Sequence, residues 1–347
     1  MTPLERVACA IGFQEPDRVP VYPICSGVSR LLTGTSYYDF ANDARKCADS
    51  LIAVTKELDL DIICTLTDLS VEAEDFGQKL DYPETEAAHP VMDERLITCT
   101  KDYYKLEPID VSKARRMNVH LDLCDILVKE MGKEYPIVAF VFGPLGITSM
   151  LRDQASMYMD IIDDPDAVKH AVGAVTETLM DYCDRLIDRG VHAIMFDTLF
   201  SSASIMRKSM WVEFEGWAVE RLAKHVHDKG CMVMIHNCGN GIYFDVQIEA
   251  MKPEGISFLH APDDCKDLAE CKAKYGDKTT LIGCVPPTWL PSASYDEVVE
   301  ESKKEIDLMA KGGGFVLATG CEYPANLDLS AARAMVETAK TYGVYKK

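Results

Sequence analysis

The sequence is short of positive charge. Its 36 lysines and arginines are outnumbered by 56 aspartates and glutamates, which gives a formal net charge of −20 at pH 7. A surface this acidic repels phosphate groups, so it argues against nucleic acids and anionic membrane surfaces as partners. The same surface suits a protein that handles small ligands, or one whose partner carries a basic patch.

Long apolar segments are also missing. No stretch approaches the roughly 18 uncharged apolar residues that a transmembrane helix needs, and the first residues do not have the composition of a signal peptide. Instead, Thr2, Pro3 and Glu5 are typical of a helix start, with Thr2 as the N-cap and Glu5 closing a capping box. The sequence therefore predicts an N-terminal helical extension on a cytoplasmic protein.

Two familiar motifs are absent as well. No Gly-x-Gly-x-x-Gly segment follows a first strand, so nothing supports a dinucleotide-binding fold, and no Cys-x-x-Cys pair marks a zinc ribbon or a redox site. Cysteine itself is abundant, because 13 residues are spread along the chain without the rhythm of a disulfide scaffold. We infer a reducing cytoplasm, such as that of an anaerobe.

Strand-like and helical segments alternate along the chain. About eight short apolar runs, such as Ile137–Phe142 and Phe315–Ala318, are separated by amphipathic segments such as Ala41–Leu58. Continuous apolar runs are typical of parallel strands that are covered on both faces. Eight such units predict an α/β fold, a single (β/α)8 TIM barrel over residues 1–347, with an open doubly wound sheet as the alternative.

The regular alternation breaks at residues 77–111. This stretch contains Pro83, Pro90 and Pro108 and a hairpin-like segment, Arg95–Thr100. We interpret it as an insertion in the barrel and not as a boundary between two domains.

His236 and Cys238 form the centre of a candidate metal site. They follow the apolar run Cys231–Ile235, and residues two apart on a strand point the same way. Imidazole and thiolate are both zinc ligands. Cys321 is the best third ligand, because the C-terminal ends of barrel strands open on one mouth. Cysteine is also a common core residue, so an ordinary packing role stays open for the thiols.

Other polar residues are weaker candidates. Asp197 could act in catalysis by orienting a ligand or substrate, or could cap the loop after it; His260 could line the pocket as a catalytic residue, or satisfy a strand end. Three more are candidates for substrate binding. Glu72 could face the mouth or be solvated, Tyr323 could shape the pocket or pack, and Arg207 could anchor an anionic substrate.

Several segments together resemble the uroporphyrinogen decarboxylase-like superfamily, and within it the zinc-dependent corrinoid methyltransferases of the methylcobalamin:coenzyme M methyltransferase type. The resemblance covers nearly the whole chain. Its most specific part is His-x-Cys with a distant Gly-Cys, the pattern with which that subfamily holds zinc. The segments that carry it are Pro3–Val7, Asp17–Pro20, Ser70–Glu74 with Gly77, Phe142–Gly146, Phe196–Asp197, His236–Gly239 and Gly312–Phe315 with Gly320–Cys321.

The resemblance implies a TIM barrel and a Zn²⁺ ion held by His236, Cys238 and Cys321 with a fourth position open. It also implies methyl transfer with a corrinoid (cobalamin) that a separate corrinoid protein carries. In the leading reaction a small thiol such as coenzyme M, bound to zinc as the thiolate, accepts the methyl group.

Three alternatives stay open. The enzyme could demethylate a methoxylated or methylamine-type substrate onto the corrinoid protein, or it could be a cofactorless uroporphyrinogen-type decarboxylase. A non-enzymatic protein that senses metal or redox state is the third. Val19–Gly34 contains only Arg30, whereas porphyrinogen decarboxylases are arginine-rich there, and this argues against decarboxylation of an octa-acid. Gly283–Pro287 also departs from the superfamily's Gly-Asn-Val-Asp-Pro-like segment, on the substrate side of the pocket.

Overall fold

The computed structural model describes residues 1–346, and its centre is one parallel sheet. Its eight strands lie in the order β1-β10-β9-β8-β7-β6-β5-β2, while β3 and β4 form a separate hairpin. The ten strands are β1 (Val21–Tyr22), β2 (Ile63–Cys64), β3 (Leu80–Asp81), β4 (His89–Pro90), β5 (Ile137–Phe142), β6 (Ala193–Asp197), β7 (Met232–Asn237), β8 (Gly255–Phe258), β9 (Thr280–Val285) and β10 (Phe315–Thr319).

Helices surround this sheet. They are α1 (Pro3–Ile11), α2 (Arg30–Thr33), α3 (Tyr37–Asn42), α4 (Ala44–Leu58), α5 (Val71–Asp75), α6 (Thr100–Tyr103), α7 (Arg115–Met131), α8 (Pro144–Arg152), α9 (Gln154–Asp163), α10 (Pro165–Asp188), α11 (Lys208–Trp211), α12 (Trp217–Asp228), α13 (Phe244–Met251), α14 (Leu268–Tyr275), α15 (Tyr295–Met309) and α16 (Ser330–Thr341). Within residues 1–346, none of them is both long and apolar enough to span a membrane.

The sheet curls so that its two edge strands meet. β1 and β2 are the ends of the strand order, yet the amide of Asp61, just before β2, donates to the carbonyl of Val21 in β1 over 3.1 Å. Strands in nearly sequential order around a curled sheet, with helices outside, make a TIM barrel. The predicted (β/α)8 barrel is thus confirmed, and the doubly wound alternative is wrong. That residues 1–347 form one domain stays a prediction.

Side chains alternate between the inside and the outside of the barrel. In β5, Val138 and Phe140 pack with the inner cluster, whereas Ala139 and Val141 belong to the larger cluster between strands and helices. This is the two-residue period of a strand, and both faces are apolar because both are covered.

The N-terminal helix closes one end of the barrel. Thr2 Oγ1 accepts from the amide of Glu5, and the Glu5 carboxylate accepts from the amide of Thr2, so the predicted capping box is present. Val7 on this helix joins the cluster inside the barrel. The C-terminal end of the barrel, where active sites of this fold lie, is the candidate mouth.

The insertion contains a hairpin, but not where we expected it. Its strands are β3 and β4, which pair with Leu80 opposite Pro90. The prediction of a hairpin at Arg95–Thr100 is therefore wrong. The amide of Ile97 bonds instead to the carbonyl of Leu151 at 2.9 Å, and Ile97 is buried in the main core. Tertiary packing, not local strand pairing, fixes that segment.

Candidate metal centre

The three predicted metal ligands lie together at the C-terminal end of the barrel. His236 belongs to β7, Cys238 follows that strand directly, and Cys321 comes two residues after β10. One potential ligand atom from each lies within 4.8 Å of the other two. Because β8 and β9 separate the two strands in the sheet, it is the curl of the barrel that makes the cluster.

A hydrogen bond to Nδ1, on the side of the ring away from the two thiols, fixes the imidazole of His236. Its Nδ1 lies 3.0 Å from the hydroxyl of Ser257, on the neighbouring strand β8, so Nε2 is the nitrogen left for the two thiols. Burial lowers the pKa of His236, but the contact with the Cys321 thiol outweighs it and leaves the pKa raised. A second hydrogen bond that fixes ring orientation is usual for a metal-binding histidine.

The two thiols interact with each other. The hydrogen bond from the Cys321 thiol lowers the pKa of Cys238, and burial opposes this only in part. The pKa of Cys321 is raised by the same contact and by burial. Two sulfurs and one imidazole nitrogen are a donor set that zinc prefers, and the three side chains thus fit the ion that the sequence implies.

A cavity of about 210 Å³ opens above these three side chains. Its polar wall consists of the three ligands with Asp68, Asp197 and Glu322. The rest of its wall is largely apolar. It is formed by Tyr22, whose buried hydroxyl has no hydrogen-bond partner, and by Ile24, Cys64, Leu66, Leu69, Ala87, Phe140, Met195 and Leu199. A small apolar cavity with a few polar groups at one end is typical of a small-molecule site.

Asp197 is the predicted rim residue that the structure places in this cavity. It ends β6 and is only 5% exposed, yet its Oδ1 has no hydrogen-bond partner. Burial raises the pKa of Asp197 to about 6, against the influence of His236 and the Leu199 amide. A buried carboxylate oxygen without a partner costs stability, and such groups concentrate at functional sites.

The other four predicted residues do not line the cavity. His260 and Arg207 are exposed. Tyr323 is fully buried, and its hydroxyl donates to the carbonyl of Asp328 at 2.6 Å. Glu72 is buried on α5, where its carboxylate accepts from the amide of Phe142 at 3.3 Å, and burial raises its pKa to about 8.

Two further carboxyl groups line the cavity, those of Asp68 and Glu322. Glu322 accepts from the amide of Gly27 at 2.7 Å, and burial raises its pKa to about 7. Asp68 accepts from the amide of Ser70 at 2.8 Å and is ion-paired with Arg116. In the sequence only their positions point to these two residues, because Glu322 follows Cys321 directly and Asp68 comes shortly after β2.

The insertion also contributes to the cavity. Ala87, in the loop between β3 and β4, is part of the wall, and the carbonyl of Thr85 accepts from Asn326 Nδ2 at 2.9 Å. Asn326 lies beyond β10, which only β1 separates from β2 in the closed barrel. The hairpin loop therefore packs over this side of the mouth.

Comparison with known proteins gives a family match and named relatives. Residues 2–342 match the family described as "Uroporphyrinogen decarboxylase (URO-D)". A methylcobamide:CoM methyltransferase MtaA from Methanosarcina barkeri is 26% identical over 239 residues, 68% of this chain and 67% of the relative. A methylcobamide:CoM methyltransferase MtbA from Methanosarcina acetivorans is 20% identical over 344 residues, 98% of each chain.

A solved structure has the same fold over the same length. It is described as a methyltransferase from Methanosarcina mazei, and it superposes with a TM-score of 0.79 over 99% of both chains. At 19% sequence identity, this likeness speaks for the fold alone.

Proposed function

Because the chain belongs to the uroporphyrinogen decarboxylase (URO-D) family, we propose that it is a methyltransferase that acts with a corrinoid protein and a zinc ion. One observation carries the proposal: His236, Cys238 and Cys321 offer ligand atoms within 4.8 Å of one another beside a small apolar cavity. The names of the relatives support the corrinoid partner and methyl transfer as the reaction.

Each polar side chain then has a distinct task. His236, Cys238 and Cys321 would hold the ion, and Ser257 orients the imidazole through Nδ1. When bound, zinc would supply a Lewis acid that lowers the pKa of a thiol substrate. Asp197 offers its free Oδ1 to a proton or a polar group of the substrate. The apolar wall excludes water from the transfer.

A thiol is the acceptor that we place first, since a thiol is the substrate that a soft metal site activates most directly. The reverse direction, demethylation of a methoxylated or methylamine-type compound onto the corrinoid, uses the same residues and is the second candidate. The cofactorless decarboxylase has less support, because the carboxylates of its substrate need positive partners, whereas the polar wall of the cavity carries Asp68, Asp197 and Glu322.

The first test is the metal content of the anaerobically purified protein, measured by elemental analysis. We expect about one zinc per chain in the wild type and a loss of most of it in Cys321→Ser, because a missing ligand weakens a three-residue site severely. Cys99→Ser removes an exposed thiol and is the matched control that should retain the metal. A wild type without zinc would refute the proposed function.

The second test follows the absorbance of the cobalamin in two reactions, which are transfer from methylcobalamin to a panel of thiols and transfer from methoxyarenes to cob(I)alamin. Thiol-dependent demethylation that Cys321→Ser abolishes is the expected result. Zinc without any reaction of the cobalamin would favour the sensing protein over the enzyme.

A further inference from the structure

The charges around the cavity point to a class of substrate. We propose that the substrate held beside the metal carries no negative charge in the cavity, so that neutral and cationic thiols are accepted in preference to anionic thiols of the same length, such as coenzyme M (2-mercaptoethanesulfonate). This inference rests on the proposed function and narrows it.

The first support is the composition of the cavity wall. Among residues 1–346, no lysine or arginine side chain lines the cavity, whereas the carboxyl groups of Asp68, Asp197 and Glu322 do. Whether protonated or not, a carboxyl group has no positive charge. Among the described residues, His236 is the single basic side chain in the cavity wall, and it would be bound to the proposed metal. A sulfonate or carboxylate tail would therefore lie in a largely apolar space without a counter-ion, which is costly.

Two arginines near the mouth have polar partners. Arg116 has a fully enclosed side chain, which is ion-paired with Asp68 and bonded to Glu74 Oε2 at 3.0 Å. Arg30 bonds to Asn326 and lies over the ring of Tyr37, 4.0 Å from its centroid. The Nε atom of each is buried without a partner, but neither side chain lines the cavity, so neither guanidinium is placed to bind an anion there.

A backbone amide beside the cavity also has a partner already. The amide of Gly27, which begins a short 3₁₀ turn after β1, donates to Glu322 Oε1 at 2.7 Å. This amide is therefore not available to an anion in the cavity. Asp197 Oδ1, by contrast, has no partner, and it can accept a hydrogen bond from an ammonium or hydroxyl group.

Three thiols that differ only in their tail test the inference. They are 2-mercaptoethanesulfonate, 2-mercaptoethanol and 2-aminoethanethiol, which carry a negative, no and a positive charge. Their dissociation constants would be measured by calorimetry on the zinc-loaded wild type at neutral pH, with methylcobalamin demethylation as a second readout. We expect the anionic thiol to bind about tenfold more weakly than the other two, since a buried anion near carboxyl groups is disfavoured.

A matched pair of variants separates the effect of the tail's charge from the effect of the thiol's acidity. Ala87 lies in the hairpin loop, is partly exposed and lines the cavity, so Ala87→Arg places a cation there and Ala87→Gln adds length without charge. We expect Ala87→Arg, but not Ala87→Gln, to improve binding of the anionic thiol about tenfold relative to the cationic one. Because the three thiols differ in acidity, the ratio between the two variants is the decisive quantity.

The outcomes are distinct. If 2-mercaptoethanesulfonate binds the wild type as tightly as the other thiols, or if zinc binds but no thiol does, the inference is overturned while the metal site stands. A protein that takes up no zinc refutes the proposed function first and the inference with it. The expected ranking, together with its loss in Ala87→Arg alone, supports both.

Discussion

Two buried aspartates lie at opposite ends of the barrel, and their surroundings differ completely. Asp61, just before β2, is fully buried and accepts bonds of 2.6 Å from both Arg6 and Arg18 and of 2.8 Å from the amide of Val21. Asp197, at the end of β6, is 5% exposed and has one oxygen without any partner. The first carboxylate is satisfied, and the second is open to the cavity.

The difference separates the part of the barrel that stabilises the fold from the part that carries the chemistry. In TIM barrels the ends where the strands begin contribute to stability, and the ends where they finish carry active sites. Asp61 joins the N-terminal helix, through Arg6, to the seam between β1 and β2. Asp197 faces the cavity that holds the three candidate ligands.

Asp61→Asn should have the largest effect on stability. The change leaves Arg6 and Arg18 buried beside a neutral group, and breaking a buried ion pair on one side costs about 3–5 kcal/mol. Urea unfolding measures the loss. Asp59→Asn is the control, because Asp59 is an exposed neighbour whose partner is Lys340, and surface pairs contribute at most about 1 kcal/mol. Equal losses in the two variants would mean that the Asp61 network adds nothing.

Glu72→Gln tests whether a buried carboxyl group at the C-terminal end of the barrel makes the stability of the protein depend on pH. Burial raises the pKa of Glu72 to about 8, so its stabilising effect is full below the ordinary value of about 4.5 and is lost as the pH rises through 8. Between about pH 6 and about pH 9 the wild type should lose about 3 kcal/mol that Glu72→Gln retains, because glutamine does not ionise. Unfolding midpoints in urea at both pH values test this. Parallel changes in both proteins would show that Glu72 is ionised in the fold.

Much of the fold was predictable because the signals were local. The apolar run Ile137–Phe142 became β5 with the same bounds, and Thr2 and Glu5 cap α1 as their spacing indicated. The family resemblance and the barrel are both confirmed. The hairpin was missed because β3 and β4 have two residues each, too few for a period of two to be visible.

The site was predictable where a strand fixes the direction of a side chain. His236 and Cys238 lie two residues apart at the end of β7, and the strand geometry alone places them together. His260 and Arg207 lie in loops, where the sequence does not determine direction, and both are exposed. Glu322 could not be ranked from sequence because its role depends on the amide of Gly27, 295 residues away along the chain.

Asp197→Asn has the smallest expected effect on the fold. It tests whether the aspartate at the cavity end of the barrel acts in the reaction and not in stability. The oxygen that loses its charge makes no hydrogen bond, so the free energy of unfolding should change by no more than about 1 kcal/mol. Zinc content should stay at the wild-type value, whereas methyl transfer should fall about a hundredfold, the lower end of the usual range for a lost general acid or base.

The matched control for Asp197→Asn is Asp188→Asn, an exposed aspartate at the end of α10, which should change neither stability nor rate. A loss of stability in Asp197→Asn as large as that in Asp61→Asn would erase the difference between the two ends of the barrel. Unchanged transfer in a stable Asp197→Asn protein would instead remove Asp197 from the reaction and leave the three metal ligands as its candidate machinery.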